Sequence, residues 1–99
     1  MAREANSRLF FHISQIKWAA LSIVSNIAEG YGRKTTKEYI RFLYIAYGST
    51  CELETQLLLS GDLVYLSKES LSEFQAKIGE VERMLKALIR SLENKRLTP

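Results

Sequence analysis

Two groups of polar side chains in this sequence have types and spacings that could do chemistry. The first group lies inside otherwise apolar segments and combines hydroxyls, an amide and carboxylates. Its members are Ser22, Ser25, Asn26, Glu29, Ser49 and Glu52, with Glu54 close by. The first four recur at intervals of three and four residues, so they share one face of a helix. Carboxylates grouped in this way could hold a metal ion or act as an acid and a base.

A structural role explains the same group more simply. A di-metal site in a helical bundle uses a Glu-x-x-His pair on each of two helices, and the single histidine, His12, follows no such glutamate. Buried polar groups must be paired with one another. The sequence therefore favours a hydrogen-bonded network that fixes the register of the helices, with no metal and no cofactor.

The second group is basic and consists of Arg33, Lys34, Lys37 and Arg41, with Tyr31 beside it. Cations of this density can contact phosphates, and an aromatic ring can stack on a base. The alternative is a solvated surface with ordinary salt bridges. A net charge of +3 permits an acidic partner without requiring one. A further basic set, Lys86, Arg90, Lys95 and Arg96, is expected to complement the negative end of a helix dipole.

Nothing in the sequence predicts catalysis. His12 and Cys51 have no motif that would make them a base and a nucleophile, and no Gly-rich strand-turn-helix pattern is present. We expect Cys51 to be buried as a small apolar residue. A single cysteine cannot form an internal disulfide, which fits a reducing cytoplasm. Neither a secretory signal nor an apolar run of about 20 residues occurs, so we expect no membrane partner.

Three helices must position these groups, and we place them at about 8–29, 36–60 and 68–93 in a single domain spanning 1–99. Apolar residues recur at alternating steps of three and four in each, the stripe of an amphipathic helix. The inward stripes are Ile13, Ile16, Ala20, Ile23 and Ile27, then Tyr39, Leu43, Ala46, Thr50, Leu53 and Leu57, then Leu71, Phe74, Ile78, Val81, Leu85, Leu88 and Leu92.

The helix ends also carry signals. Thr35 with Glu38 has the spacing of a capping box, and Ser67 is a suitable N-cap. Gly30 and Gly32 predict a left-handed cap after the first helix, and 60–62 predicts the end of the second. An apolar connection at 63–66 leads to the third helix. Because short links make sequential helices antiparallel, the predicted fold is an all-α, up-and-down helical bundle.

From Ser14 onward the chain resembles a bacterial four-helix-bundle family, the proteins encoded in intervening sequences of 23S rRNA genes. The matching text is Ser22-Ile23-Val24-Ser25-Asn26-Ile27-Ala28-Glu29-Gly30, Gly32-Arg33, Lys37-Glu38-Tyr39-Ile40-Arg41-Phe42-Leu43, Ala46-Tyr47-Gly48-Ser49 and Glu52-Leu53-Glu54-Thr55-Gln56-Leu57. The resemblance implies an up-and-down four-helix bundle that forms a ring-shaped homopentamer. It also extends to a basic pentamer of diversity-generating retroelements that is thought to bind nucleic acid and a reverse transcriptase.

The chain departs from the family pattern in two ways. Val24 stands where the family usually has proline, so we expect an unbroken helix there. Relatives also begin with one more long helix, so the resemblance implies a bundle whose first helix is missing. The open side would expose an apolar stripe that a soluble monomer rarely tolerates. We therefore expect a homo-oligomer in which a neighbour covers that stripe.

The function predicted from these features is that of a non-enzymatic oligomeric scaffold whose basic surface contacts RNA or DNA. One alternative is a purely structural or protein-binding oligomer with no role in binding nucleic acid. Another is a small metal or ligand binder that uses the interior carboxylates. We expect no small-molecule substrate.

Overall fold

The computed structural model describes residues 2–62 and 67–97, and the side chains of 7–59 and 67–95. Three helices make up nearly all of this part: α1 at Ala2–Tyr31, α2 at Thr36–Asp62 and α3 at Lys68–Leu97. The all-α fold is thus confirmed. Each helix extends beyond its predicted bounds, α1 at both ends and the others at their C-termini, and α2 ends at Asp62, the last residue of the predicted end at 60–62. The predicted connection at 63–66 lies outside the described residues.

Contacts between side chains establish that the helices run up, down and up. The Ser22 and Ser49 hydroxyls lie 2.8 Å apart between α1 and α2. Tyr44 near the start of α2 donates a hydrogen bond to Glu93 near the end of α3. Since the sequence numbers rise on one helix as they fall on the next, both neighbouring pairs are antiparallel.

The three helices lie in a row rather than in a triangle. The Cα atoms extend over 62 × 23 × 13 Å along the three principal axes. In the described residues, no Cα atom of α1 comes within 8 Å of a Cα atom of α3. Helices pack about 8–10 Å apart, and the Cα cylinder of each is about 4.6 Å wide. The width of 23 Å therefore corresponds to three helices side by side, with α2 in the middle.

The core lies along α2, where the predicted stripe is largely correct. Leu43, Ala46 and Thr50 are fully buried, and Leu57 nearly so. Leu43 and Ala46 pack with Ile40, Leu85 and Ile89, and Ile27 of α1 covers this cluster from the other side. Burial of apolar surface against two neighbours is what holds the central helix.

The seam predicted for α1 packs on α2 only at its C-terminal end, where Ile27 joins the core. The buried residues of α1 are the small Ala19 and Gly30, whereas Ile13 and Ala20 remain exposed. Small side chains let the two backbones approach, so α1 packs on α2 through them. The other isoleucines of the stripe, Ile13, Ile16 and Ile23, line an open space between α1 and α3.

Helix caps at α2 and α3 agree with the sequence. The Thr35 Oγ1 accepts a hydrogen bond from the Glu38 amide at 3.2 Å, and the Ser67 Oγ accepts one from the Ser70 amide at 3.1 Å. The left-handed cap predicted for α1 is wrong, because neither Gly30 nor Gly32 has a left-handed backbone. Instead, the Arg33 amide bonds the Gly30 carbonyl, a tighter turn that needs no left-handed residue.

The absence of a side chain at Gly30 allows α1 to contact α2. A Cβ at this position would lie 2.9 Å from the Phe42 Cβ and 3.2 Å from the Tyr39 carbonyl, and neither can move freely. We therefore expect Gly30→Ala to lower the free energy of unfolding by about 1–3 kcal/mol.

A second glycine provides the matched control for that measurement. Gly48 is also helical, yet a Cβ there would meet nothing within 4 Å. Gly48→Ala should raise the free energy of unfolding by up to about 1 kcal/mol through helix propensity. Urea unfolding of both variants at one protein concentration is the test, and a stabilised Gly30→Ala would contradict the close approach.

Candidate functional site

An open apolar groove runs along one side of the row of helices. It has α1 and α3 as walls and α2 as its floor, with a volume of about 600 Å³. Its lining is almost entirely aliphatic and aromatic and includes Ile13, Ile16, Val24, Leu53, Leu57 and Phe74. The buried hydroxyl on the floor, Thr50, already donates to the Tyr47 carbonyl at 2.6 Å. A groove of this shape and lining is suited to an apolar helix face rather than to a polar substrate.

Helix α1 also exposes large apolar side chains outside the groove. They are Phe10, Phe11, Trp18 and Leu21, which we call the aromatic face of α1. Phe10 is 73% exposed and Trp18 is 69% exposed. Between Leu9 and Ala28 the only full charge is Lys17, and the other polar side chains are histidine, serine, glutamine and asparagine. Large apolar side chains grouped on an exposed face indicate a contact surface.

The predicted polar network forms only in part. The structure brings together Ser22, Asn26 and Ser49: the Asn26 Nδ2 donates to the Ser22 carbonyl at 2.7 Å and to its Oγ at 3.1 Å, and the Ser22 hydroxyl meets Ser49. Ser25 and Glu52 are exposed instead, and Glu29 points to Arg33. The three joined residues fix the register of α1 on α2. No group of three or more His, Cys, Asp or Glu side chains suited to a metal occurs among the described residues.

Cys51 and His12 lie in different environments. Cys51 is exposed, so its predicted burial is wrong. It occupies the outward side of α2, where no helix packs. His12 lies on the groove wall with its ring edge-on to Phe11 at 5.7 Å between ring centroids. The described residues include no helix long and apolar enough to cross a membrane.

The four basic residues predicted as a site are all exposed and surround the turn between α1 and α2. The Arg33 guanidinium bonds Glu29 at 3.1 Å and lies 4.8 Å from the centre of the Phe42 ring. The Arg41 guanidinium lies 5.0 Å from the same ring. These contacts hold two of the cations in place. In the described part of the chain, Lys34, Lys37 and Arg41 form no ion pair with a carboxylate.

One of these cations, Lys37, lies at the unfavourable end of a helix dipole. Lys37 is the second residue of α2 and Lys34 precedes that helix by two residues. A helix N-terminus carries partial positive charge, so each cation there lowers the stability of the helix by about 0.3–1 kcal/mol. An acidic side chain at the same place raises the stability by a similar amount. By contrast, Arg90 and Lys95 lie near the C-terminus of α3, where cations are favoured. Stability alone therefore does not account for Lys37, whereas Lys34 also lies three residues after the C-terminus of α1, where a cation is favoured.

All the excess positive charge of the described side chains is found at one end. We call residues 25–47 and 89–95 the turn end, because the antiparallel pairing brings these segments together around the α1–α2 turn. The turn end has six basic and three acidic side chains, whereas the rest of the described side chains have six of each. The groove occupies the neutral end.

Sequence reasoning missed a pair of carboxyl groups between α2 and α3. Burial first, and then a hydrogen bond and charge repulsion from Glu54, raise the pKa of Glu82 above its ordinary value of 4.5. Lys86 and Arg83 partly oppose this shift. The pair could not be found from spacing within one helix, because it depends on the register between two.

This pair predicts that stability depends on pH. The folded state raises the pKa of Glu82, so protonation of this carboxyl group adds to the free energy of unfolding. That contribution is complete below pH 4.5 and is lost as the pH rises through the pKa of the folded state. We expect Glu82→Gln to stabilise the protein at pH 7 by about 0.5 kcal/mol and to flatten this dependence. Glu80→Gln, at an exposed position on the same helix, is the control. Equal urea midpoints for both variants at pH 7 would contradict the pairing.

Comparison with known proteins completes the description of the chain. The sequence profile of the family described as 23S rRNA-intervening sequence protein matches residues 3–87, which is most of the chain. No curated protein matches the chain significantly.

Proposed function

We propose, because the chain belongs to the 23S rRNA-intervening sequence protein family, that it works by assembling with copies of itself and with nucleic acid, and not by catalysis. Its exposed apolar surface is the observation that carries the proposal. The chain exposes 7435 Å², whereas a compact monomer of 11.3 kDa exposes roughly 5,700 Å². Its radius of gyration is 16.4 Å, against about 13 Å for a compact chain of this length.

This excess area is large enough to form interfaces. At roughly 1,700 Å², it exceeds the roughly 800 Å² that each partner buries in a standard protein–protein contact. The groove and the aromatic face of α1 supply the apolar part of it. Burying that surface at about 25 cal/mol per Å² gives a strong driving force for association.

A second copy of the chain is the occupant that fits the groove. A fourth helix closes such a row in a four-helix bundle, and the aromatic face of α1 is an apolar helix face in need of cover. Docking this face of one copy into the groove of the next satisfies both surfaces. Such a contact joins two different surfaces, so it closes into a ring or grows into a filament. The ring-shaped homopentamer implied by the family resemblance is one closed form.

The single tryptophan reports on this assembly directly. Trp18 is 69% exposed in the isolated chain, so acrylamide should quench its fluorescence almost as strongly as it quenches free indole. Assembly through the aromatic face of α1 would shield Trp18, and we expect quenching several-fold weaker than that of the free indole. Unfolding in urea supplies the fully quenched control. Quenching of the folded protein at the free-indole level would contradict burial of this face.

The turn end supports the second part of the proposal, contact with RNA or DNA. Six cations gather there, Arg33 and Arg41 lie against the Phe42 ring, and Lys37 lies where the dipole of α2 disfavours it. Phosphates would neutralise this charge and release counterions, so the affinity should fall steeply with salt. A titration of fluorescently labelled RNA from 50 to 300 mM salt tests this. Absence of binding at low salt would leave a structural or protein-binding oligomer.

A further inference from the structure

We propose that the turn end binds single-stranded nucleic acid, with one base stacked on the ring of Tyr31 and the neighbouring phosphates held by Lys34 and Lys37. This inference rests on the proposed contact with nucleic acid and specifies the kind of strand. Its starting point is Tyr31, an aromatic side chain that belongs to neither the core nor the groove.

Among the described residues, Tyr31 is the most exposed of the large apolar side chains, at 79%. It is the last residue of α1, and its ring meets Tyr39 at 6.2 Å between centroids and an angle of 85°. This edge contact supports one side of the ring while most of its surface stays open to solvent. An open aromatic ring of this kind is a platform on which an unpaired base can stack.

The cations next to Tyr31 complete the arrangement. Lys34 and Lys37 follow it by three and six residues, and Arg33 lies between Tyr31 and Lys34 in the turn. The guanidinium of Arg33 is fixed by Glu29 and Phe42, so it forms one boundary of the site. Stacking platforms bordered by cations bind the base and the backbone of a single strand at once.

A duplex does not fit this arrangement as well. In paired RNA the bases are stacked inside the helix, and a protein reads mainly the backbone and the shallow groove. A projecting tyrosine then contributes little, and its removal should not matter. The strand preference therefore depends on Tyr31 in particular, whereas the cations serve either kind of strand.

Fluorescence anisotropy tests the inference with four probes: a labelled oligouridine and a labelled oligothymidine of twelve nucleotides, and the corresponding RNA and DNA duplexes. The proteins are the wild type, Tyr31→Phe, Tyr31→Leu and Tyr31→Ala, each checked for unchanged helicity and mass. Loss of one stacked base weakens binding by about five- to hundredfold. We expect that loss for the single strands in the Leu and Ala variants, retention in Tyr31→Phe, and no effect on the duplexes.

The outcomes separate this inference from the function on which it rests. Single strands bound equally by wild type and Tyr31→Ala, or a preference for duplex, would overturn the stacking site while leaving nucleic-acid binding in place. No binding of any probe at 50 mM salt would overturn both.

Discussion

Val24→Glu is expected to break the assembly into monomers without unfolding the chain. Val24 lines the groove and is 65% exposed, so the isolated chain has room for a larger side chain there. Helix propensity also favours glutamate over valine. In the assembly, however, the same carboxylate would be buried against an apolar helix face without a partner, which costs several kcal/mol. Each 1.4 kcal/mol is tenfold in affinity, so the association constant should fall by two or more orders of magnitude.

Ala87→Glu is the matched control for that variant. It adds the same charge at an exposed position of α3 that does not line the groove. Light scattering should show the control at the mass of the wild type and Val24→Glu at the monomer mass, with equal helicity by circular dichroism. A Val24→Glu protein that keeps the wild-type mass would show that the groove is not the interface.

The double variant Lys34→Glu, Lys37→Glu should become more stable and bind nucleic acid much more weakly. Replacing Lys37 by an acid in the first turn of α2 reverses an unfavourable dipole interaction, worth about 0.3–1 kcal/mol, whereas Lys34 lies between two helix ends of opposite polarity and contributes little. Removing two phosphate contacts should lower the slope of log affinity against log salt by about 1.4 for single strands. Added repulsion between the acids and the phosphates lowers the affinity further, by more than tenfold at low salt.

Lys68→Glu separates the two effects. Lys68 is the first residue of α3 and is exposed, far from the turn end. Its replacement should raise stability by the same dipole effect but leave the affinity for a labelled single strand unchanged. Equal loss of binding in both proteins would mean that net charge, not the turn end, determines the affinity.

The sequence predicts those features of the fold that depend on spacing within one segment. The buried stripe through Leu43 and Leu57 follows from steps of three and four on α2, and the caps at Thr35 and Ser67 follow from local hydrogen bonding. The orientation of α1 was not predictable in this way. Its isoleucines give the stronger periodic signal, but Ala19 and Gly30 make the contact because only small residues allow the close approach.

The candidate sites show the same difference between features that depend on one segment and features that depend on two helices. The exposed basic cluster lies where its position in a turn predicts, whereas the polar group separates once two helices are placed side by side. Ser22, Asn26 and Ser49 meet, but Glu52 turns to solvent and Glu54 faces Glu82. Pairing across helices depends on register to within one residue, and the pattern within either helix does not contain that information.

Assembly is the central claim, and the mass of the native protein in solution tests it most directly. Size exclusion coupled to light scattering, at low and at high salt, should give a salt-resistant multiple of 11.3 kDa, because burial of apolar surface is not screened by ions. A single species of 11.3 kDa at micromolar concentration in both buffers would contradict the account. The chain would then tolerate an open groove in water, and the groove would have no role in joining copies.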